Sequence, residues 1–487
     1  MNESELHKKL EDGLLALNKG DFKDALKNFS LLIKEKANHP KILNLMSICY
    51  TRLKEFEKAE SCIAKAIKNE PSEIGYYINL GNIFKEQKKY IKAEKIYKNA
   101  LKLFSESAVL YYDLGIIYSD QNIFEEAKKY YNQSLLIDKS NKFAFNNLGI
   151  AQKELGQYKD ATNSFKKAIE LDSLYSQAKF NLGYIMLLQK PSIKAWEYYE
   201  FREHINNDKK KEIDKKNIEK WSGSSLKNKK IIIYSEQGIG DNIQFARYIK
   251  LIKKENTKII LYTKESLKFL FHKIVEIDEI IFDLNISYKI DFYISIMSLP
   301  FIFRSLKEIP KAYNFLPADE KNDEYWKKKI QKIQNYKVGL VWQGDRINNK
   351  SDFKRSVLLS VLDPIISLKN IQIISLQKDF GSEQINKNKY NKKINDFYGN
   401  IDLIPFKDTI SIIKNLDLVI SVDTSTAHIS ATLGKKTWLM LPFDPDFRWG
   451  IEKDNTAWYD SITIFRQKKP NVWNEVIQNI TKKLELL

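Results

Sequence analysis

Residues 1–205 carry small and large side chains at positions that recur every 34 residues. A period of this length is typical of stacked helix–turn–helix units. We expect the small residues to let paired helices approach closely and the large ones to fill the gap between successive units. Three sets of six positions follow the period: Gly13, Ser47, Gly81, Gly115, Gly149 and Gly183; Ala25, Ala59, Ala93, Ala127, Ala161 and Ala195; Phe29, Ile63, Tyr97, Tyr131, Phe165 and Tyr199.

This pattern resembles the tetratricopeptide repeat, and the resemblance implies about six units stacked into an all-α superhelix with a concave groove. A polar residue recurs two positions before the repeated glycine, where we expect the side chain to face the groove. An amide there offers a donor and an acceptor to a peptide backbone. Two interpretations are open: a ladder that binds a peptide or partner, or a residue type that is simply common at this position. The four positions are Asn79, Asp113, Asn147 and Asn181.

After residue 205 the 34-residue period ends. Residues 206–229 are charged and then contain Gly and Ser, which predicts a linker. Beyond them, short β-branched runs alternate with helical stretches, a pattern that predicts parallel sheets covered by helices. The runs fall into two groups around the Lys-rich residues 320–335, so we expect two Rossmann-like domains, 230–333 and 334–487. The predicted strands lie in "KKIIIYSE", "TKIILYT", "IDFYISI", "KVGLVWQG", "IQIISLQ", "DLVISVD" and "KTWLMLP".

Composition narrows the classes of function. The 487 residues carry 80 Lys and Arg against 62 Asp and Glu, a net charge of +18, and a basic surface suits phosphates or an anionic membrane surface. No RNA-binding signature or zinc spacing accompanies this charge, so we expect no nucleic-acid partner. The two cysteines indicate no disulfide framework. The sequence has no apolar N-terminal segment and no run of about 18 apolar residues, so we expect a cytoplasmic protein with at most peripheral membrane contact.

The first candidate loop is "EQGIGDN", residues 236–242, which follows a predicted strand and opens a helix. Gly238 and Gly240 allow unusual backbone angles and the close approach of a ligand. The loop lacks the third glycine of a dinucleotide fingerprint and is not a phosphate-binding P-loop. Asp241 stands where a helix cap belongs, and from the residues alone capping and catalysis are both open.

The second candidate loop is "DTSTAHISATLG", residues 423–434, which also begins at a strand end and opens a helix. Its small side chains leave backbone amides bare for a phosphate, aided by the positive end of the helix. Asp423 would repel a phosphate, so we expect it to fix the loop by accepting backbone hydrogen bonds. His428 either donates to a phosphate or packs, and packing is favoured. The four candidate amides belong to Thr424, Ser425, Thr426 and Ala427.

Two further loops carry charged residues. "VWQGDRINNKSDFKRS", residues 341–356, contains Lys350, Lys354 and Arg355, and such cations neutralise a pyrophosphate leaving group. Solvated surface lysines are the alternative interpretation. "LPFDPDFRWG", residues 441–450, places Asp444 and Asp446 around a proline, which superficially suggests a metal pair. We expect a proline-stiffened loop there and no metal ion.

Together these segments resemble the heptosyltransferase-like glycosyltransferases, that is, glycosyltransferase family 9 and its relatives, in the subgroup fused to tetratricopeptide repeats. The resemblance covers nearly the whole chain. The motifs that carry it are "AWEYYEFR", "WSG", "EQGIGDNIQFARY", "VGLVWQG", "KRS", "LDLVISVDTSTAHISATLGK", "LPFDPDFRW", "WYD" and "FRQ". It implies a GT-B fold, in which two Rossmann-like domains face each other across a cleft.

The resemblance also implies a reaction and roles for the loops. A nucleotide sugar bound by the C-terminal domain donates its sugar, with inversion, to an acceptor hydroxyl on the N-terminal side. Asp241 matches the family's general base, with capping as a compatible second role. The amides of residues 424–427, with Lys354 or Arg355, would bind the donor phosphates without metal or other cofactor. The family's key lysine is not uniquely matched, because Lys350 and Lys354 compete for its place.

Three functions remain open at this point. The catalytic loops favour a glycan or lipid-linked acceptor, because they resemble heptosyltransferases. The union of repeats with a GT-B domain is similar to protein O-linked N-acetylglucosaminyltransferases, which favours a polypeptide acceptor. The third possibility is a non-catalytic repeat scaffold for protein–protein interaction.

Overall fold

The computed structural model describes residues 3–35, 39–205, 208–252, 255–304, 309–344, 352–385, 390, 393–397 and 404–487. The chain forms two compact units, residues 1–178 and 179–487. Within the described residues, no helix is both long enough and apolar enough to cross a lipid bilayer.

The first unit consists of antiparallel helix pairs, each pair matching one 34-residue repeat of the sequence. Its helices are α1 (Glu3–Lys19), α2 (Phe22–Glu35), α3 (Pro40–Arg52), α4 (Phe56–Asn69), α5 (Ile74–Glu86), α6 (Tyr90–Leu103), α7 (Ala108–Asp120), α8 (Phe124–Ile137), α9 (Lys142–Glu154) and α10 (Tyr158–Leu171).

The repeated small and large residues meet within each helix pair. A Cβ added to Gly149 on α9 would lie 2.6 Å from Cε1 of Phe165 on α10. The same close contact joins Gly13 to Phe29, Gly81 to Tyr97 and Gly115 to Tyr131. The large residues therefore fill the space over the glycine of their own pair, because the glycine leaves room there for a whole ring. They also pack with apolar residues of the next unit, as expected: Phe29 lies in one cluster with Ile42, and Tyr97 in one cluster with Leu110.

The second unit begins inside the region predicted to be repeats. Helix α11 (Ser176–Gln189) and helix α12 (Ile193–Tyr199) form a sixth pair, and residues 179–205 belong to the second unit. A 3₁₀ turn, Glu200–His204, follows. Arg202 of this turn is 3% exposed and forms a salt bridge with Glu236, which anchors the segment beside the first sheet.

Residues 206–229, predicted to be a linker, contribute to the sheet instead. The described residues from 208 onward form helix α13 (Asp208–Asp214) and strand β1 (Glu219–Lys220). Strand β1 pairs in parallel with the strand that contains Phe292 and Tyr293. Trp221 is 5% exposed and donates a hydrogen bond from Nε1 to the carbonyl of Ser224. The charged composition hid this role because the two strand residues lie at a sheet edge.

The first sheet has five parallel strands in the order β1-β5-β2-β3-β4. Its longer strands match three of the predicted apolar runs and are buried along most of their length. Besides β1, its strands are β2 (Lys230–Tyr234), β3 (Lys258–Tyr262), β4 (Glu279–Ile281) and β5 (Phe292–Ser295), with helices α14 (Ile239–Phe245), α15 (Lys268–Phe271) and α16 (Leu299–Ile302) between or after them.

The second sheet has six parallel strands in the order β11-β10-β9-β6-β7-β8. All five residues of β9 and of β10 are buried, as expected for central strands covered on both faces. The strands are β6 (Tyr336–Val341), β7 (Ile371–Ser375), β8 (Ile394–Asn395), β9 (Leu418–Val422), β10 (Thr437–Leu441) and β11 (Ile462–Arg466). The helices are α17 (Glu320–Ile330), α18 (Asp352–Arg355), α19 (Asp363–Ile366), α20 (Lys407–Lys414), α21 (Ser425–Thr432) and α22 (Asn474–Glu485).

Helix α17 lies before the predicted domain boundary at residue 333 but packs with the second sheet's helices. Its Trp326 donates from Nε1 to Asp408 on α20 at 2.6 Å, and Lys414 on α20 forms a salt bridge with Asp323. Because α17 follows the last strand of the first sheet, the chain crosses between the two halves before residue 320.

Candidate functional site

The loop after β2 holds Asp241 inside a helix start. Gln237 has a left-handed backbone, with φ of 56°, and α14 begins two residues later at Ile239. Asp241 is the third residue of α14 and is buried, and its Oδ2 accepts a hydrogen bond of 2.8 Å from the amide of Gly238. Asp241 thus has the capping role that the sequence proposed, as the acceptor of a single backbone hydrogen bond at the start of α14, and its other lone pairs are not used by this bond.

The glycines of this loop serve contact and not unusual backbone angles. Gly238 has an ordinary φ of −81°, and the left-handed residue is Gln237. A Cβ on Gly240 would lie 2.6 Å from Cδ2 of His428. Gly238 and Gly240 therefore do not adopt the unusual backbone angles that glycine allows. Gly240 instead gives room to the loop after β9, and the close approach of a ligand stays a prediction.

The loop after β9 opens α21 with Thr424 in the cap position, in extended conformation. The amide of Ala427 donates to the carbonyl of Thr424 at 3.1 Å, so this amide does not face a ligand as expected. The amides of Thr424, Ser425 and Thr426 find no acceptor among the described residues. Three of the four predicted amides thus point outward at the start of an eight-residue helix.

Asp423, the last residue before this helix start, is buried but does not fix the loop in the expected way. Among the described residues, its carboxylate accepts no backbone hydrogen bond, and its Oδ1 lies 3.9 Å from Nε2 of His428. The backbone of α21 closes on Thr424 itself, which leaves the Asp423 carboxylate beside the histidine ring.

His428 packs in the interior between the two loops. It is 1% exposed, its Nδ1 lies 3.0 Å from the Tyr459 hydroxyl, and its ring contacts that of Trp449 at 5.4 Å between centroids. Burial, and then the cations Arg448, Arg247 and Arg355, hold the pKa of His428 well below its usual range. The ring is therefore neutral at physiological pH.

An arginine that sequence reasoning quoted without a role joins the two halves of the site. Arg448 lies in a 3₁₀ turn, Phe447–Trp449, beyond β10, and its side chain is 7% exposed. Its Nη2 donates to Oδ1 of Asp241 in a short ion pair. Its Nε lies 3.0 Å from Oδ1 of Asp446, which also caps the turn by accepting from the Arg448 amide at 3.1 Å.

The electrostatics of this cluster follow from three carboxylates around one guanidinium. Burial raises the pKa of Asp446 to about 6; Asp423 and Asp241 add to that effect and Arg448 opposes it. Burial lowers the pKa of Arg448, but the carboxylates of Asp241, Asp446 and Asp423 outweigh this and place it well above the usual value. Arg448 is thus permanently charged at the point where the two loops meet.

The basic loop is described only in part, and Lys350 lies outside the described residues. Lys354 and Arg355 form the end of α18, and Arg355 makes an ion pair with Asp352, which is 1% exposed. Arg355 also lies near enough to His428 to affect its charge state. In the part of the chain that the structure describes, no three His, Cys, Asp or Glu side chains could hold a metal ion together.

A second buried ion-pair network, on the other side of the glycine loop, was not found from the sequence. Nε and Nη2 of Arg202 both donate to the Glu236 carboxylate, at 3.1–3.3 Å, and Nη1 donates to Glu200 at 2.7 Å. Lys220 bonds to Glu200 and, at 2.6 Å, to Glu203. The network holds the backbone of Glu236, two residues before the first glycine, in place.

The candidate groove residues lie on the helices of the repeats. Asn79 donates from Nδ2 to Oδ1 of Asn44 at 2.7 Å, and Asn147 donates to the Tyr112 hydroxyl at 3.1 Å. Asp113 is 6% exposed, and Asn181 lies on α11. The expected open ladder is thus partly closed, because neighbouring helices already use one amide hydrogen of Asn79 and one of Asn147, and Asp113 is buried.

Comparison with known proteins bears on the first unit. Family models described as tetratricopeptide repeat match residues 73–140, and also residues 40–73 and 144–173. Among curated proteins, Protein FlbA of Caulobacter vibrioides is 22% identical over 292 residues, covering 54% of this chain and 48% of FlbA. The chain therefore spans about half the length of this relative.

Solved structures give similar matches to helical proteins. A MamA protein is 22% identical and covers 35% of this chain and 94% of its own, with a TM-score of 0.30. The thermophilic tetratricopeptide-repeat protein TTC0263 of Thermus thermophilus is 18% identical, and the match covers 38% of this chain and 100% of TTC0263, with a TM-score of 0.33. The type IV pilus biogenesis factor PilW is 18% identical, and the match covers 44% of this chain and 99% of PilW, with a TM-score of 0.37. These scores carry no argument by themselves, and it is the family models that identify residues 40–173 as tetratricopeptide repeats.

Proposed function

We propose that the second unit is a glycosyltransferase of the GT-B type. It transfers a sugar from a nucleotide-sugar donor to an acceptor hydroxyl, with inversion and without a metal ion. One observation carries the proposal: the loops that follow β2 and β9 meet, so that Gly240, the neighbour of Asp241, lies against His428 in helix α21 of the other half. Ligands of parallel α/β sheets bind at this edge, beyond the carboxyl ends of the strands.

In this reaction the donor diphosphate lies at the start of α21. The amides of Thr424, Ser425 and Thr426 donate to its oxygens, and the positive end of the helix favours its charge. Lys354 and Arg355 neutralise the charge that develops as the nucleoside diphosphate leaves. The small side chains of this segment let the phosphates approach the backbone.

Asp241 is the proposed general base. The acceptor oxygen bonds to the anomeric carbon, the bond from that carbon to the diphosphate oxygen breaks, and the acceptor proton passes to the Asp241 carboxylate. Each carboxylate oxygen has two lone pairs, and the bonds from Gly238 and Arg448 use one on each oxygen. An acceptor hydroxyl can therefore bond to Asp241 without displacing Arg448.

The repeats of the first unit indicate protein partners, because stacked repeats of this type present extended binding surfaces. A polypeptide acceptor and a glycan acceptor carried by a partner protein are both compatible with the transferase. The same repeats favour the second candidate function, a non-catalytic scaffold for protein–protein interaction. The two candidates differ in whether the second unit binds a nucleotide sugar.

Thermal shift of the full chain with ADP-, UDP-, GDP-, CMP- and dTDP-linked sugars tests donor binding. We expect one nucleotide to raise the midpoint in the absence of added metal. Ser425→Asp should remove that shift, because a carboxylate at the helix start repels the diphosphate while remaining favourable for the helix. Ser425→Ala is the matched control and should keep the shift. If no nucleotide sugar raises the midpoint of thermal unfolding of the folded protein, the result favours the scaffold function over the transferase function.

A further inference from the structure

A cleft of about 480 Å³ opens beside the glycine loop, on the side of the first sheet. Its wall includes residues that flank Asp241 in the chain, Gln237 and Asn242, and residues from the ends of β2 and β3. The polar lining groups that matter here are Lys209, Ser235, Gln237, Asn242 and Lys264. The cleft is therefore next to the proposed base, and its lining comes from the first sheet's loops and from the segment that precedes that sheet, including Phe180 and Arg202, and not from the second sheet.

Lys209, on α13, is the central cation of this cleft. Its Nζ donates to the Ser235 hydroxyl at 2.7 Å, reaches the Tyr262 carbonyl at 3.5 Å and lies 4.6 Å from the centre of the Tyr262 ring. Three neutral groups thus hold the ammonium at the carboxyl ends of β2 and β3. Burial, followed by the neighbouring Lys264, lowers the pKa of Lys209 to about 8, against the opposing effect of Glu212.

The carboxylates around the cleft are engaged elsewhere. Glu236 is bound by Arg202, Asp208 forms a salt bridge with Lys211, and Glu212 accepts a hydrogen bond from the Tyr262 hydroxyl at 2.6 Å. Among the described residues, neither Lys209 nor Lys264 has a carboxylate within salt-bridge distance. The cleft therefore holds two cations that face an open volume.

We propose that this cleft binds an oxyanion of the acceptor, a carboxylate or a phosphate ester, through Lys209 and Lys264. The assignment rests on the proposed transferase function, because the cleft counts as an acceptor subsite only if Asp241 deprotonates an acceptor. The donor diphosphate is an unsuitable occupant, since its amides and cations lie at α21 and α18 on the other sheet. An oxyanion here would orient the acceptor with its hydroxyl toward the glycine loop.

The subsite has a defined pH dependence. The charged groups that face Lys209 are Lys264, Glu212 and the paired side chains of Arg202, Glu236 and Asp208. Lys209 is protonated below a pH of about 8 and binds an oxyanion only in that form. Affinity should therefore fall as the pH rises through this value. A bound oxyanion raises the pKa of Lys209, so binding near pH 8 takes up protons from the buffer.

Calorimetric titration of the full chain with three sugars tests the subsite: glucose 6-phosphate, glucuronate and uncharged glucose. We expect at least one charged sugar to bind and glucose not to bind, and the better charged sugar identifies the oxyanion. Lys209→Met and Lys264→Met should each weaken that binding by about tenfold or more. Lys216→Met is the matched control, because Lys216 follows the same helix, is exposed and does not line the cleft.

The outcomes separate this inference from the proposed function. Equal binding of charged and uncharged sugars, or charged-sugar binding that survives both lysine variants, overturns the subsite. Loss of nucleotide-sugar binding in Lys209→Met also overturns it, because the cleft would then be part of the donor site. If charged sugars bind through Lys209 while no nucleotide sugar binds the wild-type chain, the anion site stands and the transferase function fails.

Discussion

At the scale of single residues, the site depends on one missing side chain. Gly240 has an ordinary backbone, so its position requires glycine only because His428 lies against it. The His428 ring has no room to withdraw, since Tyr459 holds its Nδ1 and Trp449 covers one face. The two candidate loops therefore approach each other at van der Waals distance through this pair.

We expect Gly240→Ala to destabilise the second unit by about 1–3 kcal/mol, because the new methyl group would overlap the buried ring. All eight tryptophans lie between residues 196 and 473, so tryptophan fluorescence during urea unfolding reports on this unit. Gly238→Ala is the control, since its Cβ would meet only the Asp241 carboxylate at 3.0 Å. Equal stability of Gly240→Ala and the wild type would show that the loops do not pack as described.

Arg448 is the second residue on which the site depends. Arg448→Met leaves the buried carboxylates of Asp241 and Asp446 without their cation, and we expect a loss of about 3–5 kcal/mol at pH 7. The loss should shrink as the pH falls toward about 6, because Arg448 lowers the pKa of Asp446 and the variant therefore takes up a proton on Asp446 at a higher pH than the wild type. A loss below about 1 kcal/mol at pH 7, measured by the same fluorescence assay, would contradict the buried charge cluster.

At the scale of elements, Asp113 on α7 departs from the asparagines of the other repeats. Its Oδ2 is buried with no partner among the described residues, and burial raises its pKa to about 6, with Lys85 opposing. The folded repeats thus favour the protonated acid. They lose stability as the pH rises from about 4, where the unfolded chain titrates, to about 6.

Asp113→Asn should therefore stabilise the first unit by about 1–3 kcal/mol at pH 7 and have little effect at pH 4, where both side chains are neutral. Thermal unfolding followed by circular dichroism at both pH values measures the difference, because the first unit is wholly helical in its described elements. Asn147→Asp is the comparison variant and should introduce a weaker pH dependence of the same sign, because Asn147 is less buried than Asp113. A stabilisation that is equal at the two pH values would rule out the titration of Asp113.

The strands show which secondary-structure elements can be predicted from the sequence. All seven predicted strands exist, because each is a run of β-branched or large apolar residues in a buried parallel sheet. The sequence also missed β11, whose five residues are mostly buried, and three shorter strands. Strands β1 and β8 have two residues each, and β4 has three residues of intermediate burial, so no periodic signal marks these three. Such short edge strands depend on the register of a neighbour, such as the pairing of Glu219 with Phe292.

The candidate site likewise contains residues that a local sequence pattern predicts and residues that it does not. Asp241, His428 and the amides of residues 424–426 were found because each follows a strand and opens a helix, which is a local pattern. The partner of Asp241 is Arg448, 207 residues later, and no local pattern connects them. Lys209 was hidden in a segment interpreted as a linker, because its neighbours Ser235 and Tyr262 come from strands that follow it in the chain.

At the scale of the whole molecule, tetratricopeptide repeats precede a unit with two parallel sheets. The repeats indicate protein partners, and the second unit brings the loop that holds Asp241 against helix α21. The central claim is that this second arrangement transfers a sugar. Its most direct test is the release of nucleoside diphosphate from whichever nucleotide sugar binds, with water or a supplied acceptor taking the sugar.

The measurement compares the wild type with Asp241→Asn and Arg448→Gln, because both variants break the same ion pair and only the first removes the base. We expect Asp241→Asn to slow nucleoside diphosphate release by about a hundredfold or more, while donor affinity changes by less than about threefold. Arg448→Gln should lose less activity than Asp241→Asn. Release by Asp241→Asn at the wild-type rate would contradict the assignment of the base, and no release by the wild type from a bound donor would contradict the transferase itself.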